Sequence, residues 1–576
     1  MDLFTFQLDT RKLFRFGQTL MQKICSCNLQ QHQTIKIKFP FLVGMCLLMS
    51  VKVMAWPGEV LRSFDAPGTI STGITWDGEY LWVSDRASQT LYALDPENGE
   101  VQKTLDAPAW WPQGMTWDGE ALWSVDIKGG LPLSENYKGV AYRIDPQNNR
   151  VKRTVKLSVK KATGLAWDGE YLWVADNANN EITRINAYDG TTITSFKAPT
   201  KHSNGLTFDG KYLYVADRYR DEIYMVSPEN GSVIQILHAP GKYTRGLAFD
   251  GEYLWAVDSE SDKIYKIVAR DNDEFKRFNP RKVKVTHTHK ATNFGPGLLT
   301  SLDIHLAVPR DRNSQEIHGE VEFSEEMPEM VNDQWDQQTA HYHREDIKPG
   351  AAFTASMTAE ATLYQVRYYI DPAEVGTLED IPEEIQKKYL RNNEKYQYEH
   401  PVIQDAVLES VGDENNPYWI ARKLYNHLID NMYYKMEGGW NTAPAVLERG
   451  NGSCSEYAFA YIAMCRAVGI PARYVGSVVV RGDRSSMDDV YHRWAEIYMP
   501  GYGWIPVDPS GGDKDSPRGQ ADAFGALDNR FLITTQSGGN SETMEWTYNS
   551  NEFYEKEPKT FVVTDHFADW KLIEEN

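Results

Sequence analysis

Apolar and polar residues alternate in short runs along the first half of the chain, and the runs recur. From Trp56 to about Asp271 each unit reads glycine, a hydrophobic residue, then W-D-G-x-Y-L-W-V-x-D. An alternating run such as EIYMVSPENG follows, and then another such as SVIQILHAPG. Period-two alternation bounded by D-G and N-G turns predicts strands, and four strands per unit predict the blade of a β-propeller. WDG stands at Trp76, Trp117 and Trp167 and FDG at Phe208 and Phe249, so the spacings are 41, 50, 41 and 41 residues. The long spacing carries an insertion near Gly129–Gly139. An extra strand, EVLRSFDAPG, precedes the first complete unit, and the last unit, ending KIYKIVARD, lacks its fourth. The extra strand is expected to complete the last blade and close a ring of five, or of six if part of 272–300 joins.

The propeller is assigned residues 56–271. Beyond it, FNPRKVKVTHTHK, LLTSLDIHLAVPRD, EIHGEVEFSE, AAFTASMTAEA and TLYQVRYYID read as strands. A β-sandwich is expected over 280–372. The period then shifts toward that of a helix. A charged helical linker, with EEIQKKYLRNNEKYQYEH, is expected over 373–415. The amphipathic run YWIARKLYNHLIDNMYYK opens a last domain at 416–576. Its tail, NRFLITTQ, TMEWTYNSN and TFVVTDHF, reads as strands that complete or cover that domain's sheet.

The chemistry concentrates between Gly450 and Gly512. Ser453 is a helix N-cap and Glu456 stands three residues on, a capping box. Cys454 is then the first helical residue, and Ala458, Tyr461, Cys465 and Val468 follow on one face. Gly469 and Pro471 end the helix. A cysteine at a helix N-terminus lies near unpaired N–H groups and the positive end of the dipole, and both favour the thiolate. His492 lies in the strand-like run VYHRWAEIYM, sharing a face with Trp494, Glu496 and Tyr498. A hairpin about residues 500–502 brings Asp508 opposite or diagonal to His492. Thiol, imidazole and orienting carboxylate form a nucleophile–base–orienter set.

These residues stand in ordered motifs: G-x-C-x-E-Y-A, G-I-P-A-R, H-x-W-A-E and G-W-x-x-x-D-P. From Asn416 to Gly512 the chain resembles the transglutaminase-like superfamily core. The resemblance implies an α+β papain-like fold, with Cys454 as nucleophile, His492 as base and Asp508 as third member. It implies support by Arg473, Trp494, Glu496 and Trp504. Trp440, in GGWNTAP, is the candidate for an indole N–H in an oxyanion hole, beside the backbone N–H of Cys454. The WDG units resemble NHL and YncE-like propellers, an architecture that carries little function with it.

Charge and cysteine usage narrow the classes. The net charge is −21, with no basic block after the N-terminal region, which argues against nucleic acid and against docking on anionic lipid. Residues 1–55 read as a leader. Lys36 and Lys38 precede the apolar run FPFLVGMCLLMSV, and Val53-Met54-Ala55 is an A-x-A-like cleavage site. Export by a cleaved signal peptide is expected, to the periplasm, the cell surface or beyond, with an uncleaved anchor as the alternative. Removal of that region takes Cys25, Cys27 and Cys46, leaving Cys454 and Cys465. Those two are eleven residues apart on one helix, about 16 Å at helical rise, too far for a disulfide.

Two further patterns invite a metal reading. An aspartate recurs after the second strand of each blade, at Asp85, Asp126, Asp176, Asp217 and Asp258. A carboxylate ring could hold calcium, but a turn carboxylate accepting backbone N–H bonds is what repeats identically in every blade. The pairs His287 with His289 and His341 with His343 have no third ligand fixed by the sequence, and solvent-facing histidines are expected. No cofactor and no metal is expected. The expected activity is an exported, thiol-dependent acyl transfer on a peptide or protein amide, hydrolysis or transamidation alike. A partner held by the propeller would come with it. The rival is a non-catalytic surface binding or scaffold protein whose propeller does the work.

Overall fold

The computed structural model describes residues 56–126, 139–270, 275–324, 327–436 and 439–574. The leader-like residues 1–55 and most of the insertion near Gly129–Gly139 lie outside the described residues.

The WDG motif builds each blade from a tight turn. Asp77 accepts the N–H groups of Glu79 and Tyr80 at 2.8 and 2.7 Å, and the indole N–H of Trp82 at 2.7 Å. The same carboxylate–indole bond joins Asp118 to Trp123, Asp168 to Trp173 and Asp250 to Trp255. The glycine of the motif has φ near +100°, as at Gly78 (99°) and Gly169 (100°), a conformation that costs any other residue. Five four-stranded antiparallel sheets result. Val60–Asp65 pairs with Lys263–Val268 and completes the fifth, so the ring is closed by its own first strand. Around the axis the innermost strands approach so closely that a Cβ on Gly73 would lie 2.2 Å from Gln113 O, and one on Gly164 2.0 Å from Asn204 O. Residues 275–293 form no sixth blade; they are one long strand of the next domain.

That domain is a sandwich of two sheets. One holds Gln315–Phe323, Ala352–Tyr368, Phe275–Asn293, Val562–Leu572 and Ser485–Asp488 in that order, with Ala526–Leu527 pairing off the path. The other holds Glu329–Asn332, Gln338–Ile347, Leu299–Ala307 and Ser550–Lys556. The expected boundaries need correcting here. The sandwich begins at Phe275 and is finished by two strands from the C-terminal tail, so the tail does not belong wholly to the last domain. Only Phe531–Ser537 of the tail enters the sheet of the last domain. Sequence-distant strand pairing of this kind leaves no local signal.

His287 and His289 are likewise not solvent-facing; they are 1% and 0% exposed. They share the inward face of their strand with Val283 and Val285, and residues of the last domain and the tail, Tyr491 and Ser550 among them, cover that face. His287 Nδ1 lies 3.2 Å from the Tyr491 hydroxyl, and His289 Nδ1 2.9 Å from Ser550 Oγ. Burial pushes their pKa values down to about 3 and about 4, so both are neutral. His341 and His343 lie on the outer side, each 2.8 Å from Asp303 Oδ1.

The segment 373–415 is only in part a linker. Glu383–Tyr389 is its helix, and Pro401–Val411 belongs to the last domain, packed among the helices that cover the sheet. That sheet runs Gly503–Val507, His492–Met499, Ala472–Val479, Phe531–Ser537. Against it lies the helix Cys454–Ala467, buried nearly throughout, flanked by Pro417–Asn431 and Ala443–Arg449. The fourth blade joins this body. One apolar core runs from Tyr212, Ile223 and Met225 to Val366, Ile370 and Tyr418. Polar bonds fix the docking. Glu222 meets the Arg518 guanidinium at 2.7 and 3.0 Å, and Gln235 Nε2 donates to Ile370 O at 2.9 Å.

Candidate active site

The site is assembled from three chain segments. Gly450, at φ +69°, ends the preceding helix in the left-handed conformation. Asn451–Gly452 then pairs in parallel with Tyr433–Tyr434, and Ser453 caps the new helix. The Glu456 carboxylate accepts the Ser453 N–H at 3.0 Å, the glutamate half of the capping box. It also accepts from Asn441 Nδ2 and pairs with Arg449, each at 2.9 Å, and is fully buried. One carboxylate therefore fixes the helix start, the preceding helix and the loop that carries Trp440. Cys454 stands at that start, 8% exposed.

His492 is the first residue of its strand and Asp508 follows the next one. The hairpin register, Ala495 opposite Val507 and Met499 opposite Gly503, sets them diagonal across the open end. His492 Nε2 lies 2.7 Å from Asp508 Oδ2. Asp508 Oδ1 accepts the Ser510 hydroxyl at 2.8 Å and the Gly511 N–H at 2.9 Å, which leaves the other oxygen for the imidazole. The second ring nitrogen of His492 is left to face Cys454. So the structure brings Cys454, His492 and Asp508 together.

Electrostatics favour charge separation across the pair. Burial alone would raise the Cys454 thiol, but the hydrogen bond and positive charge of His492, with the backbone N–H and guanidinium of Arg493, outweigh it and hold the thiol below its usual range. Burial likewise opposes a charged His492. The Asp508 carboxylate and the Cys454 sulfur override that and push its pKa up to about 10. Asp508 is lowered in turn: burial is outweighed by His492, Gly511 N–H and Ser510. Cys465, on the same helix and fully buried, is pushed far the other way by desolvation.

Several neighbours were not singled out in the sequence. Arg493 is wholly buried, and its guanidinium sits among Trp440, Phe459, Tyr474 and Tyr548 at 4.8, 5.0, 4.4 and 4.3 Å from their ring centroids. Its Nη2 donates to Trp546 O at 2.6 Å. Its only sequence cue is its place next to His492. Phe531 stacks on the His492 ring at 5.5 Å, and Tyr434 has its hydroxyl against the Cys454 backbone N–H. Trp440 is one-third exposed and lies between Arg493 and Tyr548 (ring centroids 6.2 Å apart). Arg473 bonds Glu496 at 2.8 Å and lies over Trp504 at 3.9 Å, a brace on the far side of the sheet. Among the described residues no group of three or more His, Cys, Asp or Glu is placed to hold a metal ion. No helix among them is long and apolar enough to cross a membrane.

Residues 404–509 match the family model of the transglutaminase-like superfamily, a span that contains all three residues of the set. Among solved structures, the chain is similar to a candidate cysteine protease from Cytophaga hutchinsonii, at 16% identity and TM-score 0.37, over 52% of this chain and 100% of that one. It is similar to the glutaminyl cyclase of Myxococcus xanthus at 14% identity and TM-score 0.32, over 37% of this chain and 97% of that one. It is also similar to the Cps50 (Swd1) β-propeller domain of Myceliophteria thermophila, at 14% identity and TM-score 0.24, over 34% and 83% of the two chains. No curated protein matches the chain. The chain thus combines a five-bladed β-propeller with a region, residues 404–509, that matches the transglutaminase-like model.

Proposed function

We propose that the protein is a thiol-dependent acyl-transfer enzyme acting on an amide of a peptide or protein. The observation that carries this is a single one. A thiol with a lowered pKa meets an imidazole with a raised one, and a carboxylate holds that imidazole at 2.7 Å. In this reading the Cys454 thiolate attacks the amide carbonyl carbon. The developing oxyanion takes the Cys454 backbone N–H, which has no partner within the helix, in place of the Tyr434 hydroxyl that lies against it. The C–N bond then breaks. The amine leaves with the proton His492 holds, and the acyl group stays on sulfur as a thioester. Water or a primary amine attacks that carbonyl next, His492 takes the attacking group's proton, and the C–S bond breaks to regenerate the thiolate. Asp508 keeps His492 oriented throughout and stabilises the imidazolium whenever His492 holds the proton. Water gives hydrolysis and an amine gives cross-linking; the same three residues serve both, and hydrolysis is the favoured outcome because water is the most abundant acceptor. An exported enzyme fits the leader-like residues 1–55.

The test uses residues 56–576 beside a Cys454→Ala copy. Both are incubated with a glutamine-rich protein and a fluorescent primary amine, and dye incorporation, peptide cleavage and ammonia release are followed. The expected result is a product in one of these channels that Cys454→Ala abolishes. Equal product from both proteins, on this and a general peptide library, overturns the proposal.

A further inference from the structure

The same two loops of every blade lie on one face of the propeller. One leads into the innermost strand; the other follows the second strand and begins with the turn aspartate. The aspartate ties them together: Asp85 accepts the N–H groups of Ile70 and Ser88, and Asp258 those of Tyr243 and Ser261. On this face three arginines break the repeat. Arg86 and Arg218 follow the turn aspartates of the first and fourth blades, where the third and fifth have Asn177 and Ser259. Arg245 takes the innermost-strand position that is Thr72, Gln113, Thr163 or Asn204 in the others. The close approach of Gly73, Gly114, Gly164, Gly205 and Gly246 closes the axis next to it, so the mouth is a cup and not a pore.

The three guanidiniums converge. The Arg245 pKa falls through burial first, and the positive charges of Arg218 and Arg86 add to the fall. Aromatic faces hold them: Arg86 lies 4.4 Å from the Trp111 ring centroid, Arg218 5.0 Å from Tyr219, and Arg245 4.9 Å from Tyr243. Among the described residues no carboxylate forms an ion pair with any of the three. Nε of Arg218 and of Arg245 is buried without a hydrogen-bond partner. The turn aspartates beside them in the fold, Asp85, Asp217 and Asp258, already accept turn N–H groups. Three half-buried guanidiniums on one face, none in an ion pair among the described residues, leave N–H donors that the anionic groups of a ligand can take.

We propose that this mouth binds a carboxylate-rich peptide segment. Guanidinium forks match carboxylates two bonds at a time, and the flanking rings pack on the peptide's apolar atoms. The choice of a peptide rests on the amide-directed reading of Cys454 and on position. Arg220, two residues beyond Arg218, lines a cavity of about 470 Å³ whose other wall includes Asp508 and Phe531. A protein gripped at the mouth by an acidic stretch would thus have its neighbouring chain directed toward Asp508 and Phe531, the two residues that hold His492.

The test is calorimetric titration of residues 56–576 with hexaglutamate, repeated with a sulfated polysaccharide and a single-stranded oligonucleotide. Hexaglutamate is expected to bind, and to bind at least tenfold more weakly to Arg218→Met/Arg245→Met. Arg86→Gln, a half-buried side chain at the rim, is expected to cost at least threefold while leaving the melting temperature unchanged. Cys454→Ala should bind like the parent, so binding stands or falls separately from turnover. Absence of hexaglutamate binding, or equal binding by parent and both arginine variants, overturns the proposal. So does tighter binding of the polysaccharide or the oligonucleotide than of the peptide.

Discussion

Five blades share one repeat, yet their outer strands are of two kinds. Val60–Asp65, Val101–Asp106, Val151–Lys156 and Thr192–Lys197 read VLRSFD, VQKTLD, VKRTVK and TITSFK, and are exposed along most of their length. Val233–His238 reads VIQILH and is buried in its first five residues. The hydrogen-bond register is the same in all, so the backbone does not explain the contrast. The fourth blade's outer edge is where the rest of the chain docks, through the Pro517–Ala521 helix, Arg367 and the Ile370 carbonyl. A repeat states what every blade needs in order to be a blade. A departure from it states what one blade does for the molecule. The arginines of the mouth are departures of the same sort, polar where the docking edge is apolar.

The comparison is broken most severely by a charge at equivalent positions. Ile236 and Thr104 occupy the same place in the register, opposite Tyr224 and Tyr92. Ile236→Asp buries a carboxylate without a partner and is expected to cost about 4 kcal/mol or more. Thr104→Asp, on an exposed strand, should stay within about 0.5 kcal/mol. Urea denaturation of the two variants measures the difference, and similar losses would mean that the fourth blade is not specially docked.

A smaller effect isolates the polar part of the dock. Burial would raise the Glu222 pKa, but Arg518 and Arg367 outweigh it and hold it below the ordinary glutamate range. A depressed carboxyl pKa contributes stability above the unfolded-state value, and the contribution is lost as pH falls through the folded one. Glu222→Gln should therefore destabilise at pH 7 by about 2 kcal/mol. The gap to the parent should close as the solution is acidified below about pH 4. A gap that stays constant with pH would show that the pair contributes by shape alone. Because Arg518 follows Asp508 by ten residues, iodoacetamide labelling of Cys454 in the same variant reports whether the dock also steadies the carboxylate.

How much of this was legible in the sequence follows from where each signal lies. The blades were, because W-D-G, the indole five residues on and the returning strand are all local. The Cys454 helix and the His492–Asp508 hairpin were, because a capping residue and a P-G-Y-G turn fix them within a few residues. The tail strands were not assigned to the sandwich, since the pairing of Phe275–Asn293 with Val562–Leu572 spans nearly 300 residues and nothing local marks it. The burial of His287 and His289 was half legible. Their parity with Val283 and Val285 put them on an apolar face, but only the packing of distant segments, Tyr491 and Ser550 among them, shows that the face is covered. Arg493 carries no pattern at all: its role comes from four rings contributed by distant segments.

The smallest effect tests what the blades have in common. Each turn aspartate accepts backbone N–H groups: Trp111 at Asp126, Lys160 and Lys161 at Asp176, Tyr219 and Arg220 at Asp217. If that is all it does, losing one acceptor should cost the same in a docked blade as in a free one. Asp85→Asn and Asp217→Asn are each expected to cost about 1 kcal/mol. Excess chelator should leave the melting temperature of the parent unmoved, since these carboxylates are taken by the chain itself. A melting point that drops on chelation and returns with calcium would make the ring a metal site. Unequal costs in the two blades would mean that the aspartate of the docked blade does more than hold its turn.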